Sequence, residues 1–147
     1  MLIYLARLCS RLVVRIVKRI FGLEIWMVGL RKKQESSSGS SWKASASGFR
    51  AVSSQRNSYL ADQFIVERNG KNYLFCEEFV YENSKGLISC FEIDENENVS
   101  SPITVLERPY HLSYPCVFEW GKKFWMIPES SRNSTIELYE CLDFPTR

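Results

Sequence analysis

Hydrophobic and polar residues alternate along this chain in two different rhythms. Residues 2–21 carry Arg7, Arg11, Arg15, Lys18 and Arg19 at spacings of three and four. At 100° per residue these cations share one face of a helix. Leu5, Leu8, Leu12, Val13, Ile16, Val17 and Ile20 cover the other side. The pattern predicts a basic amphipathic helix over 1–25. Its charges exclude a plain transmembrane span, because each would lie in hydrocarbon. They also break the apolar run that a signal peptide needs. Two readings of this helix stand side by side: it lies on an anionic membrane surface, or it packs its apolar face on a partner domain.

Beyond residue 25 the rhythm shortens. Trp26–Leu30 is a lead-in strand. The serine-rich stretch QESSSGSSWKASASG reads as linker through residue 58, with a short strand at Phe49–Val52. From Tyr59 onward short apolar runs alternate with turn residues. Phe64–Glu67 and Tyr73–Cys76 flank Asn69-Gly70, a strong hairpin signal. Leu87–Ile93 and Ile103–Leu106 follow. Val117–Glu119, Phe124–Ile127 and Ile136–Cys141 repeat the scheme around a turn at Trp120-Gly121. The two hairpins align at offsets of 52 and then 51, with one residue deleted at the turn; Glu67 meets Glu119, Gly70 meets Gly121 and Glu78 meets Glu129. Short strands recurring every ~50 residues are the signature of propeller blades. The expected fold is therefore all-β: about two blades of a β-propeller over 59–147, behind the N-terminal amphipathic α-helix. Two blades cannot close a ring, so the chain is expected to be a fragment or to rely on a partner.

Charge sharpens the division. Residues 1–33 carry eight Lys/Arg and one acid, a net +7, whereas residues 34–147 carry eleven Lys/Arg and sixteen acids, a net −5. An acidic body excludes a nucleic-acid-binding domain. The five cysteines are odd in number and contain no CxxC. Cys76, Cys90, Cys116 and Cys141 lie in apolar runs and read as buried thiols of a reducing compartment. The expected location is cytoplasmic, peripheral to a membrane if the helix takes lipid. His111 is the sole histidine, so no metal site is expected, and no residue pattern calls for a cofactor.

The candidate chemistry comes from hairpin geometry. Asp62 and Glu78 lie eight residues either side of Gly70, and Ser113 and Glu129 eight either side of Gly121. Such pairs face each other across an antiparallel ladder. Tyr110, His111 and Tyr114 sit beside Ser113. If these strands are inner ones, acids and aromatics converge at one mouth, where carboxylates bind hydroxyls and rings stack on sugars. Asp62 and Glu129 are the catalytic candidates; Glu78, Tyr110, His111 and Tyr114 are the ligand-binding ones. The plain structural alternative is that these acids accept backbone hydrogen bonds or pair with Arg108 and Arg132.

The segments LADQFIVERNGKNYLFCEEF, GLISCFEI, RPYHLSYPCVFEWGKKFWMIPESS and IELYECLDFP, with WMVGLR at 26–31, resemble the N-terminal domain of glucosamine inositolphosphorylceramide transferases. That domain also occurs in bacterial proteins, some fused to a formyltransferase-like domain. It is similar to the five-bladed propeller of family 43 and family 32 glycosidases. The resemblance implies a carbohydrate- or glycoconjugate-binding module of a glycan-modifying protein. In the related glycosidases an Asp-Pro at the start of the first inner strand supplies the base or nucleophile; Asp62 matches the aspartate, and Gln63 replaces the proline. Glu129 matches the later acid by position alone. In the plant transferases sugar transfer is attributed to a separate C-terminal domain, which implies an accessory role here. The alternatives are a family 43-like glycoside hydrolase using Asp62 and a second carboxylate, and a scaffold that docks a transferase or formyltransferase domain.

Overall fold

The computed structural model describes residues 26–31, 48–54 and 57–146. The amphipathic helix expected at 1–25 and most of the serine-rich linker, with Trp42, lie outside the described residues. Within them the chain is all-β, in three antiparallel sheets. No helix among the described residues is long and apolar enough to cross a membrane.

The first sheet pairs β1 (Val28–Leu30) with β2 (Arg50–Val52). The second is a four-stranded meander of β3 (Ser58–Arg68), β4 (Lys71–Val80), β5 (Lys85–Ile93) and β6 (Ile103–Leu106). The third comprises β7 (Ser113–Trp120), β8 (Lys123–Glu129) and β9 (Tyr139–Cys141). The strands run longer than the apolar runs that announced them. β4 continues through Glu77 and Glu78 to Val80, where the sequence reads as a polar connection. The reason is burial: both glutamates are interior, at 5% and 0% exposure. Ile136, expected in the last strand, precedes β9 and is exposed.

Alternation along β4 gives the middle sheet two apolar faces. Leu74 and Cys76 pack with Phe91, Val28 and Val52 on the side of the first sheet. Phe75 packs with Ile88, Cys90, Val117 and Phe124 on the side of the third. Phe144 plugs this second interface, its ring 4.3 Å from Phe124 and 4.8 Å from Tyr73. A strand buried on both faces reads as a continuous apolar run, and LFC at 74–76 is one.

Both hairpins close on two-residue turns with positive φ at both central residues. These are Asn69 and Gly70 in one, and Gly121 and Lys122 in the other. That is the turn whose twist matches paired strands. Arg68 pairs with Lys71 and Trp120 with Lys123. The offset between repeats is thus 52 in both strands, with no deletion. The glycines occupy different positions of the same turn, which misled the alignment of Gly70 with Gly121. The corrected register makes Glu77, not Glu78, the counterpart of Glu129.

Two of the four described cysteines are buried as expected and two are not. Cys76 and Cys90 are buried, Cys141 is half-buried and Cys116 is exposed. Desolvation pushes the Cys90 thiol up to about 12 and Cys76 further still. Trp120, beside the second turn, is 74% exposed.

Candidate functional site

Two β-bulges organise the site. In β3, Asp62 and Gln63 stand against Cys76 alone, between the pairs Ala61–Glu77 and Phe64–Phe75. In β7, Tyr114 and Pro115 stand against Pro128 alone, between Ser113–Glu129 and Cys116–Ile127. The first residue of each bulge is in the left-handed region, Asp62 at φ 50° and Tyr114 at φ 45°. For a tyrosine this conformation is costly, and such strain concentrates at functional sites. Asp62 and Tyr114 are 52 residues apart, so the repeat places the same irregularity on neighbouring strands.

The bulges decide which predicted residues meet. Ser113 faces Glu129 as the turn count expects. Glu78 faces Leu60 instead of Asp62 for two reasons: the turn is centred between Asn69 and Gly70, and the extra residue in β3 shifts the ladder once more. Glu78 lies on the opposite face of β4 and is fully buried. Its Oε1 accepts from the hydroxyls of Ser54 and Ser58, each at 2.9 Å, and its Oε2 from Ser89 at 2.5 Å. This is an interior polar anchor.

Glu77 takes the place next to Asp62. Its side chain is hydrogen-bonded to Asp62, and its Oε1 is 3.4 Å from His111 Nε2. Burial, then the Asp62 carboxyl and the charge of Glu129, push the Glu77 carboxyl up to about 8. At neutral pH Glu77 therefore holds a proton, and the Asp62–Glu77 pair shares it. His111 Nδ1 accepts the Gly86 N–H at 2.9 Å. The ring proton accordingly sits on Nε2, towards Glu77. Desolvation, followed by the nearby Arg132 charge, lowers the His111 pKa, so the imidazole is neutral at pH 7. The 3.4 Å contact is then between neutral groups and not an ion pair. Phe79 backs the imidazole, with ring centroids 5.9 Å apart.

Gly86 makes this approach possible. Leu112 N–H donates to Gly86 O at 3.0 Å, so the 111–112 segment lies along Gly86 on both sides. A Cβ at this position would sit 2.4 Å from Leu112 O and 2.8 Å from both Glu77 Oε1 and His111 Cε1.

Tyr114 completes the group. It is 62% exposed, and the Asp62 charge, burial and a hydrogen bond to Asp62 raise its pKa. The structure thus joins Asp62, His111, Tyr114 and Glu129 with two residues that sequence reasoning passed over as site residues, Glu77 and Arg132. Counting the register from the true centre of the turn, between Asn69 and Gly70, brings Glu77 to the Ala61-Asp62 step and is the signal that finds it. Tyr110 stands with other partners. Its hydroxyl donates to Glu137 Oε2 at 2.5 Å, and Tyr139 donates to the same oxygen. Glu137 is lowered by these two bonds and Tyr110 is raised by its carboxylate. Among the described residues no group of His, Cys, Asp and Glu is arranged to hold a metal ion.

A partly desolvated proton-sharing carboxyl pair, a neutral imidazole and an exposed phenol ring form a surface of mixed donors and acceptors beside an aromatic face. The family described as "Glucosamine inositolphosphorylceramide transferase 1, N-terminal" matches residues 31–147. A relative from Arabidopsis thaliana named glucosamine inositolphosphorylceramide transferase 1 is 29% identical over 90 residues, 60% of this chain and 12% of the relative. Relatives of the same name from Oryza sativa subsp. indica and subsp. japonica are 27% identical over 90 residues, with the same shares. The matched region is thus a small part of the curated relatives' length. No solved structure matches the chain. By the extent of the family match, the chain belongs to the glucosamine inositolphosphorylceramide transferase N-terminal family.

Proposed function

We propose that this chain is a glycoconjugate-recognition module of a glycan-modifying protein, built as part of a β-propeller, with Asp62, Glu77, His111, Tyr114 and Glu129 at its sugar site. The observation that carries the reading is the pair of equivalent bulges. They turn Asp62 and Tyr114 towards one patch, next to the protonated carboxyl of Glu77. Sugar hydroxyls both donate and accept, so a pair of carboxyls sharing one proton answers both needs. The exposed Tyr114 ring offers a face for stacking. Family membership and the transferase name of the relatives support a glycan-modifying context.

A hydrolytic reading is less well supported. It needs Asp62 and Glu129 to flank a glycosidic bond, whereas the groups that engage Asp62 here are Glu77 and Tyr114. Binding is therefore preferred to catalysis. The test is a glycan-array screen of the whole chain and of Asp62→Asn with Glu129→Gln. The proposal expects a defined set of bound glycans, lost in the double variant. Binding that survives both changes would refute it.

A further inference from the structure

A cavity of about 320 Å³ lies between the middle and third sheets. It is bounded by Val105 and Leu106 of β6, Phe124 and Met126 of β8, Tyr139 of β9, and Phe144 beyond β9. β6 spans four residues and β9 three, and the space between them is left unfilled by side chains. An apolar cavity of ~150 Å³ takes one benzene ring, so this one has room for about two fused rings. Its size falls within the range of small-molecule pockets, which are typically apolar with a few fixed polar groups.

The fixed polar group is Arg108, which lines the same cavity. Its guanidinium lies 4.8 Å over the Tyr139 ring. Its Nε donates to the Tyr139 hydroxyl at 3.2 Å and its Nη1 to the carbonyl of Glu107 at 2.8 Å. Stacking and two hydrogen bonds hold the head in one place, so little freedom is lost when it takes a partner. Arg108 forms no ion pair among the described residues, although acids stand close by. Glu107 is taken by Lys85 at 2.9 Å and Glu140 by Lys123 at 2.5 Å. Glu137 feels the Arg108 charge, but its oxygens accept from Tyr110, Tyr139 and Asn133. The remaining Nη1 and Nη2 hydrogens can meet two carboxylate oxygens side by side.

We propose that this cavity binds a small aromatic carboxylate, with its rings among Phe124, Tyr139 and Phe144 and its carboxylate on the Arg108 guanidinium. Three aromatic walls favour a flat ring, which they can meet edge-on or offset. The cavity shares no residue with the group around Asp62, so this proposal and the sugar site stand or fall separately.

The experiment titrates the whole chain calorimetrically with naphthalene carboxylate and with its uncharged amide, which keeps the rings and lacks the charge. The acid should bind saturably, about tenfold or more tightly than the amide, as a charge-assisted hydrogen bond is worth at least that factor. Arg108→Gln should remove this advantage. Val105→Phe, which fills the cavity, should weaken both ligands. Bound naphthalene carboxylate should also slow alkylation of Cys141, part of the cavity lining, and leave that of the exposed Cys116 unchanged. The ligand comparison and the alkylation use the unaltered chain, so they decide the matter even if a variant fails to fold. No saturable binding, equal affinity for acid and amide, or unchanged alkylation of Cys141 would each overturn the proposal. Tighter binding of dodecanoate than of naphthalene carboxylate would assign the cavity to an acyl chain and overturn the aromatic class.

Discussion

Replacing Gly86 by alanine tests how closely the site is built. The added Cβ would lie 2.4 Å from the backbone oxygen of Leu112, and 2.8 Å from Glu77 Oε1 and His111 Cε1. A flexible side chain can give way; Leu112 O cannot without moving the 111–112 segment. That movement would also break the 2.9 Å bond from Gly86 N–H to His111 Nδ1. Overpacking of this kind costs about 1–3 kcal/mol, and the lost hydrogen bond about 1 kcal/mol more. The sum, about 2–4 kcal/mol, lowers the melting midpoint of a domain this size by roughly 5–15 °C. Gly70→Ala is the control. Gly70 has φ +74° but nothing within 4 Å, so its cost is the backbone term alone, about 1 kcal/mol. Circular-dichroism melts at pH 7 compare the two. If Gly86→Ala melts no lower than Gly70→Ala, the close approach of β5 to His111 and Glu77 is wrong.

Other consequences are equally open to measurement. The folded state keeps a proton on Glu77 that the unfolded chain releases above its ordinary value of 4.5. The stability of the native chain relative to Glu77→Gln should therefore fall as pH rises from about 4.5 to about 8. Urea melts across that range would show a flat difference if the carboxyl were ordinary. Glu78→Leu takes away the carboxylate to which the buried Ser89 hydroxyl donates and should cost about 2 kcal/mol. Glu78→Gln, which keeps an acceptor, should cost clearly less in the same denaturant titration. Cys116 should react with a thiol reagent in the native protein, whereas Cys76 and Cys90 should react only on unfolding; mass spectrometry of the labelled chain distinguishes them. Lys71→Ala removes an exposed ion pair with Glu92 and should leave the melting midpoint unchanged.

Periodicity and turn chemistry carried most of the fold. Asn69-Gly70 announced the first hairpin, and the spacing of apolar runs announced the repeat and the all-β class. What escaped was a matter of single residues. Glu78 looked like the start of a polar connection, Glu78–Lys85, and Glu77 lay just past the apolar run, because two adjacent acids rarely lie inside a strand. They are accommodated because one meets three serines and the other gives up its charge. A bulge is equally hard to see: nothing in Ala61-Asp62-Gln63 marks the extra residue, which sets Ala61 opposite Glu77 and Leu60 opposite Glu78. The second turn was misplaced for a related reason, since glycine can serve either central position of a two-residue turn. Asp62, His111, Tyr114 and Glu129 were singled out because Asp62 and Tyr114 lie early in β3 and β7, His111 just before β7, and Glu129 at the end of the antiparallel β8, which is one end of the paired strands. Arg132 reaches them from the short 3-10 turn Ser131–Asn133, and polar spacing alone does not show its direction.

The central claim is that the two bulges frame a sugar site. It is tested most directly by titrating the isotope-labelled chain with a panel of monosaccharides that includes glucosamine, while following backbone amide shifts. The account predicts saturable shifts confined to the surroundings of Asp62, Glu77, His111 and Tyr114. They should be lost in Tyr114→Ala, whose exposed side chain can be removed without lowering the melting midpoint. Shifts centred on another surface, or none that saturate with any sugar, would contradict it.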